Sequence, residues 1–134
     1  LGADRFLPPI PIKAVVDHAG KDITGDFDPS TVKDGARSWL RSKLEILGKM
    51  VPPMVANAEK NAEKSAVKLR RKALKEMDAL ITDQVNRLER LTALGHPVRN
   101  GEIAAAQEER EALTVHLANA RLRLDSIRLV VIGG

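Results

Sequence analysis

The sequence predicts an α+β fold: three helices, the last two forming a long antiparallel helical hairpin, and a small antiparallel sheet that pairs the N- and C-terminal strands. Residues 54–94 contain no glycine or proline and are rich in good helix formers, and apolar residues recur at intervals of three and four in 101–124. Strand-like β-branched runs occur only at 10–17 and 126–132. A length of 134 residues fits one domain, so we expect residues 1–134 to fold as a single domain.

The sequence of residues 1–28 predicts a strand and a hairpin. Its three prolines between residues 8 and 11 lack amide donors and disfavour a helix. Apolar residues alternate along 12–17, as they do in a strand with one buried face. The segment 18–22 is a turn signal because Gly20 tolerates a positive φ.

The first helix is predicted over residues 29–48. Asp28 or Ser30 can accept hydrogen bonds from its first free amides, and Gly48 is a natural stop. Trp39 lies on the apolar stripe of this segment, which favours a role as a core anchor. A docking surface is the alternative, since tryptophan is enriched at interface hot spots.

The second helix is predicted over residues 53–94, beginning at Pro52 and Pro53 because proline is tolerated in a first turn. A helix of roughly 42 residues is about 60 Å long, so it must protrude, bend or pair with another long helix. Polar side chains at Arg70 and Gln84 interrupt its seam, where a structural role is favoured over a ligand site. The apolar seam consists of Val67, Leu74, Ile81 and Leu88, spaced by seven, with Met77 and Leu91 at companion positions.

The third helix is predicted over residues 101–124, after a turn in which Gly95 and Pro97 end the preceding helix and Asn100 caps the next. A short turn makes the two helices antiparallel neighbours. The final segment, 126–132, is predicted to be a strand that pairs with 10–17, the only other strand material. The seam of the third helix consists of Ile103, Ala106, Arg110, Leu113, Leu117, Ala120 and Leu124.

The net charge of +4 is concentrated in one segment. Residues 59–75 carry seven basic and two acidic side chains, whereas the rest of the chain carries 15 basic and 16 acidic ones. A basic ridge of this kind favours contact with nucleic-acid phosphate or an acidic protein surface, and the alternative is a solvated helix face. The candidate contact residues are Lys60, Lys64, Lys68, Arg71, Lys72 and Lys75.

No residue is predicted to be catalytic, cofactor-binding or metal-binding. The chain has no cysteine, and its three histidines, His18, His96 and His116, lack the spacing of a metal site. No glycine-rich phosphate loop with Gly-Lys-Ser/Thr is present. Two phenylalanines and one tryptophan are too few for a base-stacking platform, and no apolar run is long enough to span a membrane.

Two end segments carry a family resemblance. RFLPPIPIKAVVD at residues 5–17 resembles the opening of the C-terminal domain of the RapA family, and RLDSIRLVV at 123–131 resembles its closing segment. Between them the basic helix, LERL at 88–91 and RNGEI at 99–103 follow the order of that domain. RapA proteins are bacterial, RNA polymerase-associated, helicase-like ATPases of the SWI/SNF class.

The resemblance implies a parent that binds RNA polymerase and uses ATP, with magnesium, to recycle it in the bacterial cytoplasm near the nucleoid. For this chain it implies a C-terminal accessory module, with no catalysis and no cofactor of its own. The implied partners are RNA polymerase and the parent's motor domains, with DNA or RNA backbone as a further one, and the implied state is a monomer. The alternatives are a self-associating coiled-coil protein and a free-standing nucleic-acid binder that uses residues 60–75.

Overall fold

The computed structural model describes residues 2–99 and 101–132, and the chain divides into two compact units. Unit 1 comprises Leu1–Pro11 and Ala66–Arg121, and unit 2 comprises Ile12–Ser65 and Leu122–Gly134. Short 3-10 turns occupy residues 3–5, 24–26 and 29–31. The α-helices are α1, Arg37–Ser42, α2, Leu44–Ala93, and α3, Glu102–Ala118.

The predicted sheet is wrong, because the described residues contain helices and turns but no strand. The hairpin turn exists only as an isolated antiparallel bridge between Val16 and Asp22. Its hydrogen bonds are local: the Ile23 amide donates to the Val15 carbonyl at 2.9 Å, and the Val15 amide donates to the Thr24 hydroxyl at 2.9 Å. The backbone amide and carbonyl of Val15 are therefore already hydrogen-bonded within the turn, so they are not available to pair with a distant strand. Residues 126–132 form no strand.

The predicted first helix, 29–48, is also wrong as a single element. Asp28 does act as a cap, accepting from the Ser30 amide at 2.9 Å and the Ser30 hydroxyl at 2.7 Å, but only the short 3-10 turn follows. Gly35 lies in the non-helical stretch before α1, where a helix would lose about 1 kcal/mol relative to alanine. Trp39 on α1 is 38% exposed and is not the predicted core anchor.

Helix α2 begins before the predicted start at residue 53 and includes Pro52 and Pro53. Gly48 was predicted to end a helix, but it lies inside α2 and does not have the positive φ of a left-handed helix stop. The two prolines have no amide hydrogen, so the carbonyls of Gly48 and Lys49 lose their intrahelical donors. Both residues are exposed, and water can take the place of those donors.

Unit 1 contains the hydrophobic core, in which α2 packs against α3. Two polar interactions define the register between the helices. Arg70 of α2 donates to the Ala120 carbonyl just after α3, and Asp78 of α2 forms a salt bridge with Arg110 of α3. Later positions of α2 thus meet earlier positions of α3, and the predicted antiparallel helical hairpin is confirmed. The core residues are Ala73, Met77, Ile81 and Val85 from α2 and Ala106, Leu113 and Leu117 from α3.

The seam of α3 was predicted correctly except at its end. Ala106, Leu113 and Leu117 are buried, but Leu124 is 66% exposed because α3 stops at Ala118. The predicted end at residue 124 is therefore wrong. Carbonyls at this helix end have no helical amide to donate to them, and the guanidinium of Arg121 donates instead, to the carbonyls of Ala118 and Ala120 at 3.2 and 3.1 Å.

The predicted seam of α2 is confirmed at Met77 and Ile81, which are buried, but its other positions are shifted from the buried stripe. Its buried residues are Ala66, Ala73, Met77, Ile81 and Val85, mostly four apart, while the predicted seam repeats every seven. A straight helix with 3.6 residues per turn drifts away from a strict heptad, which explains the shift. The predicted seam residues Val67, Leu74 and Leu88 are only partly buried.

The turn between α2 and α3 follows the predicted chemistry. Gly95 has a φ of 80°, and the His96 amide donates to the Leu91 carbonyl at 2.9 Å, which is the six-to-one bond of a Schellman motif. Gly101, with a φ of 87°, is the N-cap of α3. The predicted cap, Asn100, lies outside the described residues.

Candidate interface on helix α2

The six basic residues predicted from the sequence all lie on α2 and are all exposed. Lys60 and Lys64 belong to unit 2, and the other four belong to unit 1. We describe the four in unit 1 as the basic face: Lys68, Arg71, Lys72 and Lys75.

The basic face lies on the side of α2 opposite its buried stripe. Residues three, four and seven apart on a helix share one side, as these four do. At about 100° per residue, Ala73 and Met77 are turned roughly 140° and 180° away from Lys68. Because the stripe is covered by α3, the basic face points away from the core of unit 1.

Few carboxylates accompany the basic face. Residues 66–75 contain five basic side chains and no acidic one. Lys72 lies 3.9 Å from Glu76, but these side chains are 74% and 53% exposed, so the pair contributes at most about 0.5 kcal/mol. A positive face of this kind attracts phosphates or carboxylates of a partner.

Arg70 and Arg110, the two cationic residues at predicted seam positions, have structural partners. The Arg70 guanidinium donates to the Ala120 carbonyl at 3.1 Å, so a positive charge lies at the negative end of α3. Nε of Arg110 lies 3.4 Å from Oδ1 of Asp78. The Arg70 contact agrees with the structural role predicted for that residue, and Arg110 has a structural contact of the same kind, whereas Gln84 is exposed on α2.

Lys64 lies in a different electrostatic environment, within unit 2. The Thr24 hydroxyl and the Thr24 amide donate to Asp22 at 2.6 and 3.0 Å, and these hydrogen bonds lower the pKa of the Asp22 carboxyl. The positive charge of Lys64 lowers the pKa of Asp22 further. Sequence reasoning missed this electrostatic influence because Asp22 lies in a turn and Lys64 on a helix, far apart in the chain.

The turn itself is held against α2 in unit 2. Oδ1 of Asp17 accepts from the amides of Ala19 and Lys21, each at 2.9 Å. Gly20 has a φ of 85°, and a Cβ atom added there would lie 2.5 Å from Nδ2 of Asn57. The positive φ favours glycine at this position, and a larger residue would also have to displace the Asn57 side chain of α2.

The N-terminal segment covers the core of unit 1, a contact that the sequence analysis also missed. Ala3, Phe6 and Leu7 pack against the core, and their 3-10 turn is closed by the Phe6 amide donating to the Ala3 carbonyl at 3.0 Å. The only signal was the apolar pair Phe6-Leu7 beside the prolines. A shallow, open groove runs between residues 2–4 and α3, with His116 at its edge.

No metal centre is formed by the described residues, since none of their histidines, aspartates and glutamates form a group of three suited to an ion. Within the same residues, no helix combines the length and the apolar character needed to cross a membrane.

Comparison with known proteins decides the family. Residues 1–132 match the family described as "RNA polymerase recycling family C-terminal". The chain belongs to this RapA C-terminal family. The match confirms the resemblance drawn from the two end segments.

Curated relatives of the RapA C-terminal family cover nearly the whole chain. The chain is 32% identical over 132 residues to the RNA polymerase-associated protein RapA of Serratia proteamaculans, and 30% identical over 136 residues to that of Cronobacter sakazakii. It is 25% identical over 135 residues to RapA of Actinobacillus pleuropneumoniae serotype 3. The alignments cover 96%, 98% and 98% of this chain but only 14% of each relative.

Proposed function

We propose that this chain is a non-catalytic accessory module of a RapA-type, RNA polymerase-associated ATPase, and that it contributes to docking of polymerase. The match to the RapA C-terminal family over residues 1–132 carries the proposal. The relatives are named for association with RNA polymerase. The module would hold no cofactor, and ATP and magnesium would bind in the motor part of the longer protein, in the bacterial cytoplasm near the nucleoid.

Binding to purified RNA polymerase tests the docking role. We expect the 134-residue chain, immobilised through its N-terminus, to retain polymerase, and a charge-matched protein of another family to retain none. Failure to retain polymerase, either alone or within the longer protein, would contradict the docking role. ATP hydrolysis by the isolated chain at a rate typical of a motor would contradict the non-catalytic role.

A second candidate function is binding to nucleic-acid backbone, which the basic face favours. Lys68, Arg71, Lys72 and Lys75 share one exposed side of α2, and no acidic residue lies between positions 66 and 75. With so few aromatic residues in the chain, such binding would be directed to phosphate and would depend on salt but little on base sequence.

The variant Lys68→Glu/Lys75→Glu tests this second function. We expect it to weaken binding to duplex DNA equally for different sequences and to reduce the salt slope by about 2. The matched control is Arg87→Glu/Arg90→Glu, which makes the same charge change at exposed positions elsewhere on α2. If both variants lose the same affinity, net charge rather than the basic face is responsible. If the unaltered chain fails to bind at low salt, this second function is rejected.

A further inference from the structure

Helix α2 contains two adjacent prolines inside its length. Pro52 and Pro53 lie after about two turns of the 50-residue helix. Each proline lacks an amide hydrogen, and its ring crowds the carbonyl four residues earlier, here those of Gly48 and Lys49. Proline is the least favourable residue in a helix interior and glycine the next, so the weakest positions of α2 fall together within 48–53.

The burial of α2 changes at the same point. Between residues 37 and 50 every side chain is exposed except Leu47, which is half-buried. Asn57, after the prolines, is the residue that Gly20 approaches in the turn of unit 2. The part of α2 before the prolines therefore has little packing that a bend would break, whereas the part after them is held by neighbours. The half-buried residues that follow the prolines within unit 2 are Met54, Val55, Asn57, Ala58, Asn61 and Ala62.

The segment before the prolines, residues 37–47, comprises α1 and the first turn of α2, and we call it the arm. At Lys43 the arm is interrupted, since a φ of −118° and a ψ of 12° lie outside the helical region. The Lys43 amide donates to the Leu40 carbonyl at 3.1 Å, and the Ser42 hydroxyl donates to the Trp39 carbonyl at 2.7 Å. Both hydrogen bonds join near neighbours within the arm, so they would move with it.

We propose that residues 48–53 are a hinge, at which the arm changes direction relative to the part of α2 that follows the prolines. A bend in an uninterrupted helix breaks hydrogen bonds on its outer side, but at this position two of those bonds are already missing. The arm carries three basic side chains, one acidic side chain and the only tryptophan of the chain. A hinge lets these groups take more than one direction within unit 2, whether or not the proposed docking role holds.

Distances between pairs of spin labels test the hinge. The chain has no cysteine, so a label attaches only where a cysteine is introduced. Glu45→Cys/Lys60→Cys places two labels at exposed positions on either side of the prolines, both within unit 2. Lys72→Cys/Arg87→Cys is the matched pair on the uninterrupted part of α2, at exposed positions within unit 1.

The two label pairs have the same separation in sequence, which corresponds to about 22 Å along the axis of a straight helix. Differences between the pairs therefore report the helix between them and not the labels. We expect the distance distribution of the pair that spans the prolines to be about twofold wider than that of the matched pair, measured by pulsed electron spin resonance.

Replacement of the prolines extends the test. Pro52→Ala/Pro53→Ala restores both amide donors, so the wide distribution should narrow to the width of the matched pair. Because alanine is the best helix former, this variant keeps the helix intact. Pro8→Ala/Pro9→Ala is the control, since it removes the other adjacent pair of prolines, which is exposed and lies outside the helices. The control should leave both distributions unchanged.

Three results would overturn the hinge. Equal widths for the two label pairs in the chain with all its prolines would show that α2 is equally stiff on both sides of Ser65. A single narrow distance, shorter than a straight helix gives, would show a fixed bend. A wide distribution that persists in Pro52→Ala/Pro53→Ala would assign the movement to fraying of the helix end and not to the prolines.

Discussion

The two compact units of this chain bury their apolar residues very differently. All eight buried apolar residues of the described chain belong to unit 1. Of the sixteen large apolar side chains that are exposed in the same residues, thirteen belong to unit 2. Burial of apolar surface is the main favourable term in folding, so unit 1 has its own source of stability.

Unit 2 depends on other interactions. Its described contacts include a hydrogen-bonded turn, the Asp28 cap, the close approach of Gly20 to Asn57, and Lys13 over the Phe27 ring at 5.1 Å. Such contacts fix local conformation but remove little apolar surface from water. The difference shows that unit 1 has its own hydrophobic core, whereas unit 2 leaves its large apolar side chains mostly exposed, and the following predictions test that contrast.

The largest effect is expected from matched truncations in the two units. Ile81→Ala removes a side chain that is 0% exposed in the core of unit 1, and it should lower the free energy of unfolding by about 2–5 kcal/mol. Leu44→Ala, at a position 65% exposed in unit 2, should change it by less than about 0.5 kcal/mol. Urea denaturation of the 134-residue chain measures both. Equal losses would show that unit 2 has a core of its own.

The sequence predicted features that depend on residues close together in the chain, and it failed for features that depend on distant residues. The seam of α3 was found because Ala106, Leu113 and Leu117 repeat within one helix, and the turn at Gly95 was found because its chemistry is local. The prediction of a strand at 126–132 was wrong because β-propensity is a local preference. It does not show whether a second strand lies close enough to pair. Trp39 was misplaced because an amphipathic pattern predicts which residues share a helix face but does not show that another element packs on that face.

The candidate interface shows the same limit. Spacing along α2 was enough to predict that six basic side chains share the helix, and all six are exposed. Spacing was not enough to predict that the charge of Lys64 lowers the pKa of Asp22, because the two groups lie on a turn and on a helix that are far apart in the chain. The role of Arg70 at the end of α3 depends likewise on the register between two helices, which only the packed structure gives.

Removal of the Arg70 guanidinium should have an intermediate effect on unit 1. Arg70→Met keeps the aliphatic stem but removes the donor to the Ala120 carbonyl and the positive charge at the end of α3. We expect a loss of about 1–2 kcal/mol in the free energy of unfolding. Arg71→Met, at the exposed neighbouring position, is the control and should have an effect within about 0.5 kcal/mol. Indistinguishable losses would remove Arg70 from the structural role assigned to it.

A smaller and more local effect is expected in unit 2 from Gly20→Ala. Alanine at a φ of 85° costs about 1 kcal/mol, and its Cβ would force Asn57 to move. Amide exchange of Ile23, which donates to Val15, should therefore accelerate while exchange in the core of unit 1 stays unchanged. Gly25→Ala is the control, because nothing lies within 4 Å of a Cβ atom there. Faster exchange in unit 1 as well would show that the two units unfold together.

The smallest effect is expected from pH, through the carboxylate in the turn of unit 2. The hydrogen bonds from Thr24, helped by the charge of Lys64, lower the pKa of Asp22 below its ordinary value of 3.8. The ionised carboxylate therefore favours the folded turn at neutral pH. That contribution should begin to weaken as the pH falls to 3.8 and should be lost once the pH is below the lowered pKa.

The chemical shift of the Thr24 amide, followed by NMR, should accordingly titrate with a midpoint below 3.8, and Asp22→Asn should abolish the titration. Asp28→Asn removes the other carboxyl whose pKa is lowered, in that case by Ser30, and should leave the Thr24 titration unchanged. A Thr24 midpoint at or above 3.8 would mean that the turn does not hold Asp22 in its ionised form, and that the hydrogen bonds of unit 2 contribute even less to its stability than the contrast with unit 1 implies.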